Sequence, residues 1–230
     1  MNILALDTSM GACSAALVTG SGNARRVFAR GERMARGHAE ALMPMVDAIM
    51  RESGTAFAAL DRIAATTGPG SFTGVRIAIS AARGLALVTT AKLFAIDSLT
   101  VMAREARDRS VTGGAPFAVA VDARRGMLYL GLYDEAARWT SGPLLIAPDD
   151  AANSLPRGLR TAVGSGAARL AEAAGRRGVV VTAELTDLEP NAAALADLAE
   201  ESGETVPALR PLYLRPPDAR PQAQPLARRG

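Results

Sequence analysis

The sequence predicts an α/β protein of two lobes, each a mixed sheet flanked by helices. Three observations carry this. Residues 1–108 read as three strands followed by helix, strand, helix, strand and helix. A polar, Gly-rich stretch over residues 108–116 then marks a boundary. Beyond it a second, similar run of short apolar strands and Ala-rich helices begins at Phe117. Hairpins followed by strand–helix–strand units give sheets of mixed direction, in the order of ribonuclease-H-like folds.

In the first lobe, residues 2–6 form an apolar run ending in Asp7-Thr8-Ser9, and residues 11–18 form a second, so a hairpin is expected. Residues 24–30 make a third strand. Residues 37–53 have helical spacing, with Leu42, Met45, Val46, Ile49 and Met50 on one face. His38 lies at that helix start, and Glu40 in the first turn, where negative charge is favourable. Strands at 62–66 and 92–96 enclose a helix reaching about Val88, and a helix at 99–107 follows.

In the second lobe, strands are expected at 117–121, 127–133, 144–146, 161–163 and 179–181. Helices are expected at 167–174 and 191–200. Asp122 takes the place that Asp7 has in the first lobe, so the second half reads as a reduced copy, without any residue-level repeat. The division is residues 1–108, 109–210 and a Pro/Arg-rich tail, 211–230, expected to be mobile.

Composition narrows the classes. At 230 residues the chain can build one large core or two small ones. It is 49% hydrophobic but only 4% aromatic, so Ala, Leu, Val and Ile must fill the interior. The pI of 9.6 comes from arginine, since Lys92 is the only lysine, and no dense Arg run occurs. Proximity to RNA is compatible with this, but no dedicated groove is written into the sequence. Cys13 is the only cysteine, so no intrachain disulfide forms, which fits a reducing compartment. No apolar run reaches the roughly 18 residues of a membrane span. A cytoplasmic protein without membrane partners is expected.

The chain is organised around residues 67–80, Thr-Gly-Pro-Gly-Ser-Phe-Thr-Gly-Val-Arg-Ile-Ala-Ile-Ser. Its glycines and proline imply a tight turn, with Ser71 or Thr73 as N-cap. Exposed N–H groups at such a helix start can hold an anion, yet the turn lacks the Gly-Lys-Ser/Thr ending of a P-loop. Val75, Ala78, Ile79, Ala82 and Leu85 share the face suited to a core. The opposite side presents Thr73, Arg76, Ile77, Ser80, Arg83, Gly84 and Leu87, with small residues at Ser80 and Gly84 that permit close approach of another helix. This stripe is the candidate partner interface.

The same stretch resembles the signature of the TsaB/YeaZ family. Ile3-Leu4-Ala5-Leu6-Asp7-Thr8-Ser9, Gly37-His38-Ala39-Glu40 with Leu42 and Pro44, Phe94-Ala95-Ile96-Asp97-Ser98-Leu99 and Pro211-Leu212-Tyr213-Leu214-Arg215 extend the resemblance. It is dense over the first hundred residues and thin afterwards. It implies the actin/hexokinase/Hsp70-like fold and a non-catalytic subunit of the bacterial complex that makes threonylcarbamoyladenosine in tRNA. The implied partners are the metal-bearing catalytic paralogue TsaD and the P-loop ATPase TsaE. The tRNA is reached through the complex, and the chain alone forms a homodimer. The resemblance implies ATP or ADP only at the complex interface, and no cofactor in the isolated chain.

In that family the catalytic paralogue binds its metal through His-x-x-x-His. The two positions map here onto Ser98 and Met102, poor ligands for such a cation. His38 is the only histidine, so no two-His site exists within the chain. No catalytic or metal-ligating residue is therefore assigned. Asp7, Thr8 and Ser9, with Gly164, Ser165 and Gly166, are the candidate nucleotide-proximal residues that the fold implies. Their plain alternative is turn closure by side-chain to backbone hydrogen bonds. Two enzyme readings compete. An ATP-dependent small-molecule phosphotransferase of the same fold would need Asp7 or Asp122 as a base. A protease lacks both metal and nucleophile sets, and Ser165 would have to borrow His38 from the other lobe.

Overall fold

A computed structural model describes residues 1–215. It contains two five-stranded mixed sheets. The first has the order β3-β2-β1-β4-β5, built from β1 (Ile3–Asp7), β2 (Ala12–Thr19), β3 (Arg26–Arg33), β4 (Arg62–Thr66) and β5 (Lys92–Ile96). The second has the order β10-β9-β6-β7-β8, built from β6 (Phe117–Asp122), β7 (Leu128–Tyr133), β8 (Trp139–Ile146), β9 (Thr161–Val163) and β10 (Thr182–Glu184). In each sheet the first three strands pair antiparallel and the last two join in parallel. The second sheet thus repeats the topology of the first, with β6 in the place of β1. Asp7 and Asp122 each end the founding strand, as the sequence implies.

β1 is buried along its whole length, so its sequence is a continuous apolar run rather than an alternation. Alternation survives in what each residue touches. Leu4 and Leu6 face α1 (His38–Ser53) and α2 (Phe72–Val88), whereas Ile3 and Ala5 face α6 (Ala192–Glu201). β6 repeats the arrangement. Ala118 and Ala120 meet α4 (Pro148–Asn153) and α5 (Ala167–Gly175), and Phe117, Val119 and Val121 meet α3 (Ser98–Asp108).

The helices that follow each sheet are therefore exchanged. α3 leaves the first sheet and covers the second, and α6 leaves the second sheet and covers the first. This corrects the division that gave residues 109–210 wholly to the second lobe: α6 and Leu209 are built into the first. The first residues of the expected mobile tail are also docked. Leu212 N–H donates to Thr67 C=O at 2.7 Å, and the Tyr213 ring stacks on Phe72 at 5.1 Å. The rest of that tail, 216–230, lies outside the described residues.

Three further expectations change. The last strand is not 179–181 but Thr182–Glu184, because its partner β9 is only three residues long and fixes the register; Val180 is left 73% exposed. β8 begins five residues before the expected 144, and α4, too short to show helical periodicity, was not expected.

Candidate functional site

The turn before α2 is built against the end of β1. Ser71 caps α2, its Oγ accepting from Gly74 N–H at 2.9 Å. Ser71 N–H donates to Ser9 C=O at 2.8 Å, and Thr8 Oγ1 donates to Gly74 C=O at 2.6 Å. A Cβ at Gly70 would stand 2.2 Å from Ser9 O, and one at Gly74 would stand 2.1 Å from Thr8 O. These glycines let two backbones touch.

Asp7, Thr8 and Ser9 are fully buried. Asp7 Oδ1 accepts from Ser9 Oγ at 2.7 Å, from Ser9 N–H at 3.3 Å and from Thr66 Oγ1. Ser98 Oγ donates to Ser9 Oγ at 2.9 Å, extending the network to the start of α3. Asp7 Oδ2 has no hydrogen-bond partner within the chain. Burial raises the Asp7 carboxyl to about 6, opposed by the Thr66 and Ser9 hydrogen bonds. The three residues that the fold implies near a nucleotide lie in the interior, and none faces solvent.

Gly164, Ser165 and Gly166 form the turn from β9 into α5. Gly166 N–H donates to Ala120 C=O at 2.9 Å, and Ser165 Oγ accepts from Asp122 N–H at 3.1 Å. Asp122 Oδ1 accepts from Arg124 N–H and from Arg169 Nη1, so the acid is ion-paired. Both predicted triplets touch α3, but at separate places: Ser98 meets Ser9, and the Met102 methyl lies beside Gly164. Ser98 and Met102 are themselves buried. His38 does not approach Ser165; its Nε2 lies 3.2 Å from Met10 O. Among the described residues no cluster of His, Cys, Asp or Glu has the makings of a metal site.

One accessible feature is a groove of about 450 Å³ between α1 and α2. Ala39, Leu42 and Met43 form one wall, and Phe72, Thr73, Arg76, Ile77, Ser80 and Ala81 the other. Thr73, Arg76, Ser80, Arg83, Gly84 and Leu87 are exposed along α2, and Ile77 is half-buried. Leu87 is 87% exposed and Val88 77%, so the helix ends in an uncovered apolar pair. A Cβ at Gly84 would meet nothing within 4 Å.

Two arginines of this face make contacts within the chain. Arg83 donates to Leu209 C=O, and Arg76 Nε donates to Tyr213 Oη at 2.7 Å while its guanidinium lies 3.7 Å over Phe72. Both are engaged within the chain. Phe72 and Tyr213 were missed as surface residues. The matching spacing of Phe72 and Arg76 on one helix face was the available signal, but nothing in sequence ties Tyr213 to them.

Comparison with known proteins places this geometry. The family model described as TsaD, tRNA N6-adenosine threonylcarbamoyltransferase, matches residues 31–206. The tRNA threonylcarbamoyladenosine biosynthesis protein TsaB of Escherichia coli K12 is 40% identical over 141 residues, 60% of this chain and 58% of that protein. The protein of the same name from Haemophilus influenzae is 32% identical over 177 residues, 72% of each. The solved structure of YeaZ from Pseudomonas aeruginosa superposes with a TM-score of 0.78 at 32% identity, covering 92% of this chain and all of that one. Motifs, duplicated topology and overall likeness agree, and the chain belongs to the TsaB/YeaZ family.

Proposed function

We propose that this chain is the non-catalytic subunit of a cytoplasmic assembly that transfers threonylcarbamoyl to N6 of the anticodon-adjacent adenosine of tRNA. It would pair with the metal-bearing paralogue TsaD, joined by the P-loop ATPase TsaE, and would self-pair when alone. The observation that carries this is the α1–α2 groove, with exposed Ser80, Gly84, Leu87 and Val88 beside it. Small side chains allow backbones to approach, and the uncovered apolar end supplies the driving force. This chain itself matches the TsaD family model over residues 31–206, so a partner of that family would share its fold. Its equivalent helix would lie across α2 in a pseudo-twofold pair. Nucleotide would enter only at the joint interface.

The phosphotransferase reading is weakened by its own requirement. Asp7 is buried within the first lobe, and Asp122 is paired with Arg169. ATP turnover by the isolated chain would revive it.

Ser80→Glu and Gly84→Glu place a carboxylate on the pairing face at positions open to solvent. Each is expected to weaken both homodimer and complex with the paralogue by at least about tenfold, roughly 1.4 kcal/mol. Melting of the subunit should not fall. Size-exclusion and pull-down measure this; both pairings retained at full strength would refute the interface.

A further inference from the structure

Arg76 stands exposed on the pairing face with one side of its guanidinium committed and the other open. Its Cζ lies 3.7 Å from the Phe72 ring centroid, and its Nε donates to Tyr213 Oη at 2.7 Å. Tyr213 is held in turn, by its stack on Phe72 at 5.1 Å and by the Leu212 N–H bond to Thr67 C=O. The guanidinium is therefore aimed before anything binds, which lowers the entropy cost of binding. Its two terminal nitrogens have no acceptor among the described residues. Arg30, Arg51, Arg104 and Arg138, by contrast, each meet a carboxylate.

No acid of this face fills the fork. Residues 72–88 of α2 contain neither Asp nor Glu. On α1, Asp47 is ion-paired with Arg51 and Glu52 with Arg30, and Glu40 makes no bond to Arg76. The groove beside the fork is apolar, lined by Leu42, Met43, Phe72, Ile77 and Ala81. Two parallel N–H donors fit a carboxylate, and the apolar lining fits a helix that carries one. A phosphodiester backbone would satisfy the fork but leave that lining uncovered. A second copy's α2, laid across this one, would bring Arg76 and Arg83 against like charges with no acid between them.

We propose that Arg76 is a specificity-determining residue of the pairing face. It selects a partner helix that places a carboxylate in its open fork over a second copy of this chain, and Tyr213 is the positioning residue that aims it. The inference rests on the pairing proposed above and deepens it, by stating the chemistry that the partner brings.

The test measures pairing of the full chain with the paralogue, and with itself, by analytical ultracentrifugation at low and high salt. Arg76→Gln keeps a long polar side chain and removes the charge. It is expected to weaken pairing with the paralogue at least about fivefold at low salt and to flatten its salt dependence, while self-pairing stays equal or strengthens. Tyr213→Phe keeps the ring stack but releases Nε, and should give a smaller loss of the same kind. Arg76→Lys restores a charge without the fork and should recover only part of the affinity. When each Asp or Glu on the paralogue's equivalent helices is replaced by its amide, one loss should be non-additive with Arg76→Gln. Unaltered affinity for the paralogue in Arg76→Gln, equal losses in both pairings, or additivity at every acid would overturn the proposal. So would a labelled tRNA transcript that binds the isolated chain and is lost with Arg76→Gln, which would mark phosphate as the ligand. Pairing broken by Ser80→Glu but untouched by Arg76→Gln defeats this inference alone; a wild-type chain that does not pair with the paralogue defeats both.

Discussion

Asp7 shows what a residue can cost when its neighbours are made to fit. Its carboxyl is buried, one oxygen holds three donors, and the other has none. Its folded value, about 6, lies above the ordinary 3.8. The folded state therefore binds the proton more tightly than the unfolded chain does. That contribution is fully present below about pH 3.8 and is lost as pH rises through about 6, a change of order 3 kcal/mol. Asp7→Asn removes the titration. Denaturant unfolding from pH 4 to pH 8 should show wild-type stability falling relative to the variant by about that amount; parallel curves would contradict the assignment. Cys13, also in the interior, has its thiol pushed up to about 11 chiefly by burial, with the Asp7 and Glu32 charges adding to it.

At the scale of elements, α2 uses its glycines for opposite purposes. Gly74 lies where α2 presses on Thr8, and its missing Cβ is required. Gly84 lies on an open face where an alanine would find no neighbour. Gly74→Ala should destabilise by about 3 kcal/mol, through a clash with rigid backbone. Gly84→Ala should stabilise the subunit by about 0.5–1 kcal/mol through helix propensity. Thermal melts of the two variants check this; similar shifts in one direction would refute it. A glycine costing stability in mid-helix is consistent with a surface kept small for a partner.

The whole molecule is joined by the exchange of α3 and α6. Without α6, the Ile3, Ala5, Val18 and Phe94 side of the first sheet would lose its cover. Further ties cross between the halves: Glu189 Oε2 accepts from Gly11 N–H at 2.9 Å, and Ala192 N–H donates to Ser14 Oγ at 3.0 Å. A fragment of residues 1–116 should therefore fail to fold cooperatively, although it contains all five strands of its sheet. Circular dichroism with a urea titration tests this, and a sharp two-state transition would show that the lobe stands alone. The full chain should unfold in one transition rather than two.

The sequence by itself determined much of the strand and helix order, because buried parallel strands are continuous apolar runs and α1 and α2 keep a 3.6-residue period. Arg62–Thr66 and Thr161–Val163 are legible to the residue for that reason. The α2 stripe was legible too, since helical spacing alone puts Ser80, Gly84 and Leu87 on one side. Tertiary structure decided whatever depends on contacts distant in sequence. It carried α6 back to the first sheet, because an Ala-rich helix fits either apolar face and its pattern does not say which. It put Asp7 in the interior, because burial of a strand end depends on the segment, beginning 59 residues later at Thr66, that closes over it. It also tied Arg76 to Tyr213 across 137 positions, turning an arginine that looked available into part of the subunit's own surface.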